Sequence, residues 1–231
     1  MKFDPLTEKC PLPFSAFRSC VVPRPIAWIS TKSEDGICNL APFSQAQIFN
    51  IDPPMVCFTA NHYPNGLRKD SSINIEKTGW FVWNFCTEEL KGEMNASSSI
   101  VSHETDEFEL AGLEKEKADL CDVSMVASSP IKMECELFKF ETIECPQSSQ
   151  VELGLGKVDM IIGLVRRIHI KESAVGEDGK IDIDTLRPLA RMGYFDYTTV
   201  NNIFPMRMPV SKELLEAVTP EILEKVMSGG G

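Results

Sequence analysis

The segment from Pro23 to Ser44 limits this chain more than any other. Residues 26 to 31 (Ile26, Ala27, Trp28, Ile29, Ser30, Thr31) are mostly β-branched or aromatic, as a half-buried pleated strand requires. Asp35-Gly36 supplies the positive-φ residue of a tight hairpin turn. The returning run then meets Pro42, which cannot donate to a sheet ladder and belongs at an edge, a strand start or a bulge. Asn39, Ala41 and Ser44 around it are small or polar. A strand that breaks its pairing there leaves free backbone groups and room for a flat ligand against the main chain.

Further strand-like runs are expected at 37–41, 55–60, 80–85, 131–143 and 158–170. Ile131 to Leu137 alternates apolar and polar residues, the pattern of a sheet with one wet face. Gly163 interrupts the longest apolar run, which points to a bulge or a barrel corner. The helical segments are short. One runs from Ser71 to Lys77, capped by Asp70 or Ser71 and stopped by Gly79; another runs from Thr87 through Met94, and a turn spans Asp106 to Ala111. Many antiparallel strands with short helices between them predict a closed barrel, which leaves no exposed edges. The character changes after Pro209: Ser211 and Thr219-Pro220 can start two amphipathic helices. The expected organisation is a domain over 1–209 and a helical appendage over 210–231.

The chain has 231 residues, enough for one substantial domain that buries about 70% of its unfolded surface without a disulfide or metal staple. A net charge of −11 argues against nucleic acid, whose phosphates demand a basic face. No run approaches the roughly 20 apolar residues of a membrane span, and the first residues lack a signal-peptide core. A cytoplasmic location is the expectation. The eight cysteines form no C-x-x-C pair and read as reduced, mostly buried apolar residues. His62, His103 and His169 are far apart in sequence, so no metal site is expected.

Pro23-Arg24-Pro25-Ile26-Ala27-Trp28-Ile29-Ser30-Thr31, followed by Asp35-Gly36 and Asn39-Leu40-Ala41-Pro42-Phe43-Ser44, resembles the paired motif of the flavin reductase-like family of FMN-binding split β-barrels. The resemblance continues through Asp52-Pro53-Pro54-Met55, Lys69-Asp70-Ser71, Asn74-Ile75, Phe81-Val82-Trp83-Asn84, Glu107 to Leu113 and Arg191-Met192-Gly193-Tyr194. It covers nearly the whole chain in order. It implies a mainly β split barrel with short peripheral helices, a homodimer, and one FMN per subunit.

Site residues follow by combining that resemblance with residue chemistry. Lys69, Asp70 and Ser71 form a phosphate cradle: a cation beside free N–H groups at a helix start. An acidic chain needs such a local site to hold a phosphate dianion. Trp28 and Ser30 share one strand face, and Thr31 lies on the other; a hydroxyl beside an aromatic can hold a phosphate or ribityl oxygen. Asn39, Leu40, Ala41, Pro42, Phe43 and Ser44 present backbone and small side chains to the polar edge of the ring. Asn84 can serve the ligand or merely a turn. His103 reads either as an ordinary surface histidine or as part of a segment covering the flavin. Arg191 suits the negative charge of a reduced flavin, and Tyr194 can stack or cap.

Two functions stay open. One is an oxidoreductase taking electrons from NADH or NADPH. The other is a flavoredoxin-type carrier passing electrons to a protein partner. Short-chain flavin reductases often carry Gly-Asp-His before their Ile-Gly strand, and that histidine is linked to nicotinamide use. Here Val158 stands in its place. No G-x-G-x-x-G fingerprint supplies a separate nicotinamide site.

Overall fold

A computed structural model describes residues 1–14, 16–145, 156–206 and 209. The chain divides into two compact units, Met1–Val200 and Asn201–Gly231. The expected helices over 210–231 lie outside the described residues. No described helix is long and apolar enough to cross a membrane.

In chain order the first unit holds α1 (Phe17–Cys20), β1 (Arg24–Pro25), β2 (Ala27–Lys32), β3 (Cys38–Phe43), β4 (Ala46–Asn50), β5 (Met55–Asn61) and α2 (Asp70–Thr78). There follow β6 (Trp80–Asn84), α3 (Lys91–Ala96), α4 (Glu107–Leu110), β7 (Lys115–Lys117), β8 (Ser124–Val126), β9 (Ile131–Glu144) and β10 (Lys157–Ile170). The last elements are α5 (Ile183–Leu186), β11 (Leu189–Gly193) and β12 (Asp196–Thr199).

Seven antiparallel strands form one sheet in the order β3-β2-β6-β9-β10-β5-β4. Its two end strands, β3 and β4, are consecutive in the chain and separated only by Ser44 and Gln45. The Thr59 N–H donates to the Gln45 carbonyl at 2.9 Å. One bent segment therefore runs from one end of the sheet to the other and closes the split barrel. This corrects the expectation that pairing breaks at Pro42. Pro42 pairs with Trp28 and Phe43 with Ala27, so the ladder continues through the proline. An end strand tolerates it because the missing N–H can face away from the only neighbour.

Alternation along β2 sorts two cores. Ala27 and Ile29 point into the barrel with Phe43, Phe58 and Phe81. The Phe43 and Phe58 rings lie 4.9 Å apart, and Phe81 meets Phe58 edge-on at 5.6 Å. Ile26 and Trp28 point outward into a second cluster with Leu40, Met94, Phe108 and Leu189. Gly163 falls where the β9–β10 register shifts. A Cβ there would overlap the Phe81 ring and lie 3.1 Å from the Cys135 Cβ. The glycine is required by close packing as well as by the bulge.

A three-stranded sheet, β1-β11-β12, sits apart from the barrel order. None of its strands is expected from the sequence, because they are short and lack alternation. It sets Arg24 directly opposite Arg191. The cysteines also differ from expectation. Cys38, Cys86 and Cys135 are buried, Cys10, Cys57 and Cys121 are half-buried, and Cys20 and Cys145 are exposed. Burial pushes the Cys86 thiol up to about 12, which makes it a poor nucleophile.

Candidate functional site

Where β3, the end of β5, the start of α2 and β11 converge, the surface opens into a cavity of about 460 Å³. That is within the roughly 300–1,000 Å³ of small-molecule pockets. Arg18, Arg24, Lys69 and Arg191 line it, together with Pro42, Phe43, Ser44, Thr59, His62, Tyr63 and Tyr197. Among the described residues no carboxylate lines it. The guanidiniums crowd one another. Burial, and then the charges of Arg191 and Arg18, hold Arg24 below the ordinary arginine value. Arg24 is tied to the Val21 carbonyl at 2.8 Å, while the Arg191 guanidinium carbon lies 4.4 Å from the Tyr197 ring centre. Clustered cations of this kind attract an anion.

A smaller lobe of about 90 Å³ adjoins the first and shares Pro42, Phe43, Tyr63, Lys69 and Ser98 with it. Its wall adds Asn39, Ala41, Asp70, Ser71, Ser97, Ser99, Val101 and Glu107, so two carboxylates, Asp70 and Glu107, stand beside its one cation, Lys69. Lys69, in extended conformation, is the N-cap residue of α2, and no side chain caps that helix. Neither Asp70 nor Ser71 is the cap, as the sequence suggests; both belong to the first turn. The first-turn N–H groups and the positive dipole end are therefore available to an anion. The Lys69 ammonium rests 3.4 Å from the centre of the Tyr63 ring.

A buried network holds this corner in place. Ser71 donates to the Asn39 Oδ1 at 2.7 Å, and Thr31 donates to the same oxygen at 3.2 Å. Asn74 donates to Thr31 at 3.0 Å. Asn39 donates to both Glu107 oxygens, and the Leu40 N–H donates to one of them, each at 3.0 Å. Burial pushes the Glu107 carboxyl up, against the pull of its bonds to Leu40 and Asn39. The network pins the start of α2 to β2 and β3.

Of the residues singled out from sequence, the structure gathers Asn39, Ala41, Pro42, Phe43, Ser44, Lys69, Asp70, Ser71 and Arg191 on the two lobes. Others lie off the wall. Trp28 is fully buried and donates through its indole N–H to Ser97 at 2.9 Å, so it touches the small lobe only through that serine. Ser30 and Thr31 are fully buried, and Leu40 packs in the outer core. Asn84 is fully buried; it donates to the Trp28 carbonyl at 3.0 Å and to Ser30 at 3.1 Å, and accepts from the Val126 N–H at 2.8 Å. It splices strands rather than facing the cavity. His103 is exposed and lines neither lobe; it lines two other depressions that share Asp70 with the small lobe. Tyr194 adopts a positive φ of 47° and packs on Phe14; Tyr197 holds the position at the cavity.

Sequence reasoning misses Arg18, Arg24, His62 and Tyr197 as cavity residues. Arg24 lies inside the quoted Pro-Arg-Pro motif, so its signal was present; the others carry no local pattern. Asp119, Glu134 and His169 bring their ligand atoms within 4.8 Å of one another, although no metal grouping is expected from the sequence. Glu134 is saturated by the Asp119 and Leu120 N–H groups at 3.0 and 2.7 Å and by His169 at 2.6 Å. Asp119 pairs with Arg167. The group is an ion-pair network joining β9 and β10.

Residues 17–195 match the model of the flavin reductase like domain. The chain belongs to the flavin reductase-like family. An uncharacterised protein from Halalkalibacterium halodurans is 32% identical over 189 residues, 82% of this chain and 87% of that one. Among solved structures, the family fold recurs in nitrilotriacetate monooxygenase component B from Bacillus cereus, with a TM-score of 0.78 and 25% identity over 89% of this chain and 98% of that one. Flavoredoxin from Methanosarcina acetivorans shares the fold at a TM-score of 0.67 and 21% identity, over 90% of this chain and all of that one.

Proposed function

We propose that this chain holds FMN in the two-lobed cavity, phosphate in the small lobe and ring system in the large one, and acts as an FMN-dependent oxidoreductase. The observation that carries the reading is the charge of the wall. Four arginine and lysine side chains line the large lobe, with no carboxylate there among the described residues, in a chain of net charge −11. The uncapped start of α2 and Lys69 match a phosphate monoester, and one such cradle fits FMN rather than a dinucleotide.

When bound, FMN supplies the hydride and electron chemistry. The chain's residues bind and bias. Lys69 and the first N–H groups of α2 neutralise the phosphate. Pro42, which lines the large lobe and has no N–H, lets a flat ring approach the β3 backbone. Arg24 and Arg191 favour negative charge developing on a ring beside them. The exposed apolar residues Ile48, Phe49 and Ile51 at the end strand β4 favour a homodimer, since an uncovered apolar edge invites pairing.

Val158 supports the second reading, an electron carrier serving a protein partner. It pairs across the ladder with Asn61, a cavity residue, and brings no ionisable group to a hydride donor. One experiment separates the two. Purified protein is scanned for a flavin spectrum, the released cofactor is chromatographed against FMN and FAD, and NADH or NADPH is added anaerobically. Bleaching by either nucleotide establishes the oxidoreductase; a bound flavin that dithionite alone bleaches establishes the carrier. Absence of flavin uptake at micromolar concentration refutes both.

A further inference from the structure

A second cavity, of about 450 Å³, adjoins the large lobe and is also of small-molecule size. Its floor is the outer face of β5 and β10. Val56, Phe58 and Ala60 belong to the barrel core, so Cys57 and Thr59 between them face outward. Met160 pairs with Thr59 across the ladder and shares that face. Phe17 of α1 and Val21 just after it complete the wall, although both are largely exposed. Arg18 and Arg24 line this cavity and the large lobe alike, and they carry the only charges on its wall among the described residues. The arginines that pair with carboxylates among the described residues are Arg68, Arg166, Arg167 and Arg187, not these two. Arg24 is held in place by one nitrogen alone. Its Nη1 donates to the Arg18 carbonyl and to the Val21 carbonyl at 2.8 Å, and reaches the Met192 carbonyl at 3.5 Å. Its Nε and Nη2 have no partner among the described residues, and neither is one of the buried unpartnered atoms, so both are open to a ligand. The Nε–H and one N–H of Nη2 point the same way, and that side of a guanidinium takes a carboxylate through two parallel bonds.

We infer that this cavity binds a small aromatic carboxylate, its ring against Cys57, Thr59, Met160 and Phe17 and its carboxylate on Arg24, with Arg18 beside it. The unspent side of Arg24 selects a planar carboxylate, and the Phe17 ring and the Met160 thioether favour an aromatic body. The small lobe, assigned to the phosphate, shares no lining residue with this cavity. The inference rests on the flavin reading only in setting the acid next to a redox centre; the binding itself does not need it.

The test uses the full chain labelled with ¹³C-methyl methionine and saturated with FMN, so that the large lobe is filled. The Met160 methyl resonance is assigned through Met160→Leu. Benzoate is the probe, and benzyl alcohol is its neutral counterpart. Benzoate should move the Met160 resonance along a saturating curve, and the alcohol should bind about tenfold more weakly, because a hydrogen-bonded charge is lost. Arg18→Gln, at an exposed position, should weaken benzoate roughly twofold to fivefold and leave the alcohol unchanged. Arg24→Gln should bring the two ligands to equal affinity; if that variant fails to fold, Arg18→Gln and the wild-type pair of ligands still decide. A Met160 resonance that benzoate leaves still, or equal affinity for acid and alcohol in wild type, overturns the inference. So does a Met160 shift that FMN abolishes, which would place benzoate in the large lobe. A still Met160 resonance, with Phe17→Ser turning a dimer into a monomer in sedimentation, would show that a second copy covers the cavity, and overturns it too. If the chain takes up no FMN, the flavin reading fails, and the same titration without FMN still decides this inference.

Discussion

Lys69→Ala tests the phosphate cradle directly. In the proposed complex the Lys69 ammonium donates to a phosphate oxygen, and a hydrogen bond between charged groups contributes about 1.5–3 kcal/mol. The ammonium is not idle without ligand, because it rests 3.4 Å from the centre of the Tyr63 ring. Leaving that ring costs about 0.5–1 kcal/mol at a half-exposed site. The net loss on mutation is therefore about 1–2 kcal/mol, or roughly a 5- to 30-fold rise in the FMN dissociation constant. The α2 N–H groups remain, so binding should survive. Riboflavin has nothing for Lys69 to hold and should bind wild type and variant within about twofold. Quenching of flavin fluorescence measures both constants in the same buffer. Raising the salt should narrow the gap between the two proteins for FMN alone, since part of the interaction is screened. If riboflavin is weakened as much as FMN, Lys69 supports the shape of the site and not the phosphate, and the assignment of the small lobe is wrong.

Arg191→Met should lower the midpoint potential of bound flavin by tens of millivolts, because the reduced anion loses a cation; about 1.4 kcal/mol corresponds to roughly 30 mV for a two-electron couple. A spectroelectrochemical titration giving an unchanged potential would place Arg191 outside the ring's electrostatic reach. Gly163→Ala should destabilise the fold by about 1–3 kcal/mol, because the added methyl overlaps buried Phe81. A urea midpoint equal to wild type would show that the bulge can yield. Asp159, buried and bonded to His62, Thr142 and Arg68, has its folded value below the ordinary 3.8, so the stability it supplies is complete above that pH and is lost as the pH falls through the folded value. Acid unfolding of wild type followed by circular dichroism should therefore show a loss below about pH 4 that is smaller in Asp159→Asn, a variant already destabilised at neutral pH by its unpaired partners. Equal acid sensitivity in the two proteins would show that the network carries no folding energy.

The barrel was legible because its strands are written in local pattern. Residues 26–31, 55–60 and 131–143 alternate or cluster β-branched and aromatic side chains, and Asp35-Gly36 sets the first turn, where Gly36 has a φ of 87°. The motif residues on β3 and at the start of α2 were legible for the same reason: their chemistry and their neighbours lie within a few positions. The cavity's field was not. Arg24 and Arg191 are 167 positions apart in the chain, and only the β1–β11 pairing sets them opposite each other. Their strands are too short to announce themselves by period. His62 shows the same limit. Its partner Asp159 lies on β10 and its other neighbours follow from the β5–β10 register, so nothing within ten residues marks the pair. Trp28, Ser30 and Asn84 show the converse. Residue type alone admits a ligand role or a core role, and only the elements packed on the outer face of the sheet buried them, where their polar atoms are satisfied by Ser97, by one another and by the β8 backbone. Hydrophobic period is a property of neighbours along the chain and survives in the sequence; a charge field and a hydrogen-bond partner are properties of neighbours in space, and exist only once the sheet has closed.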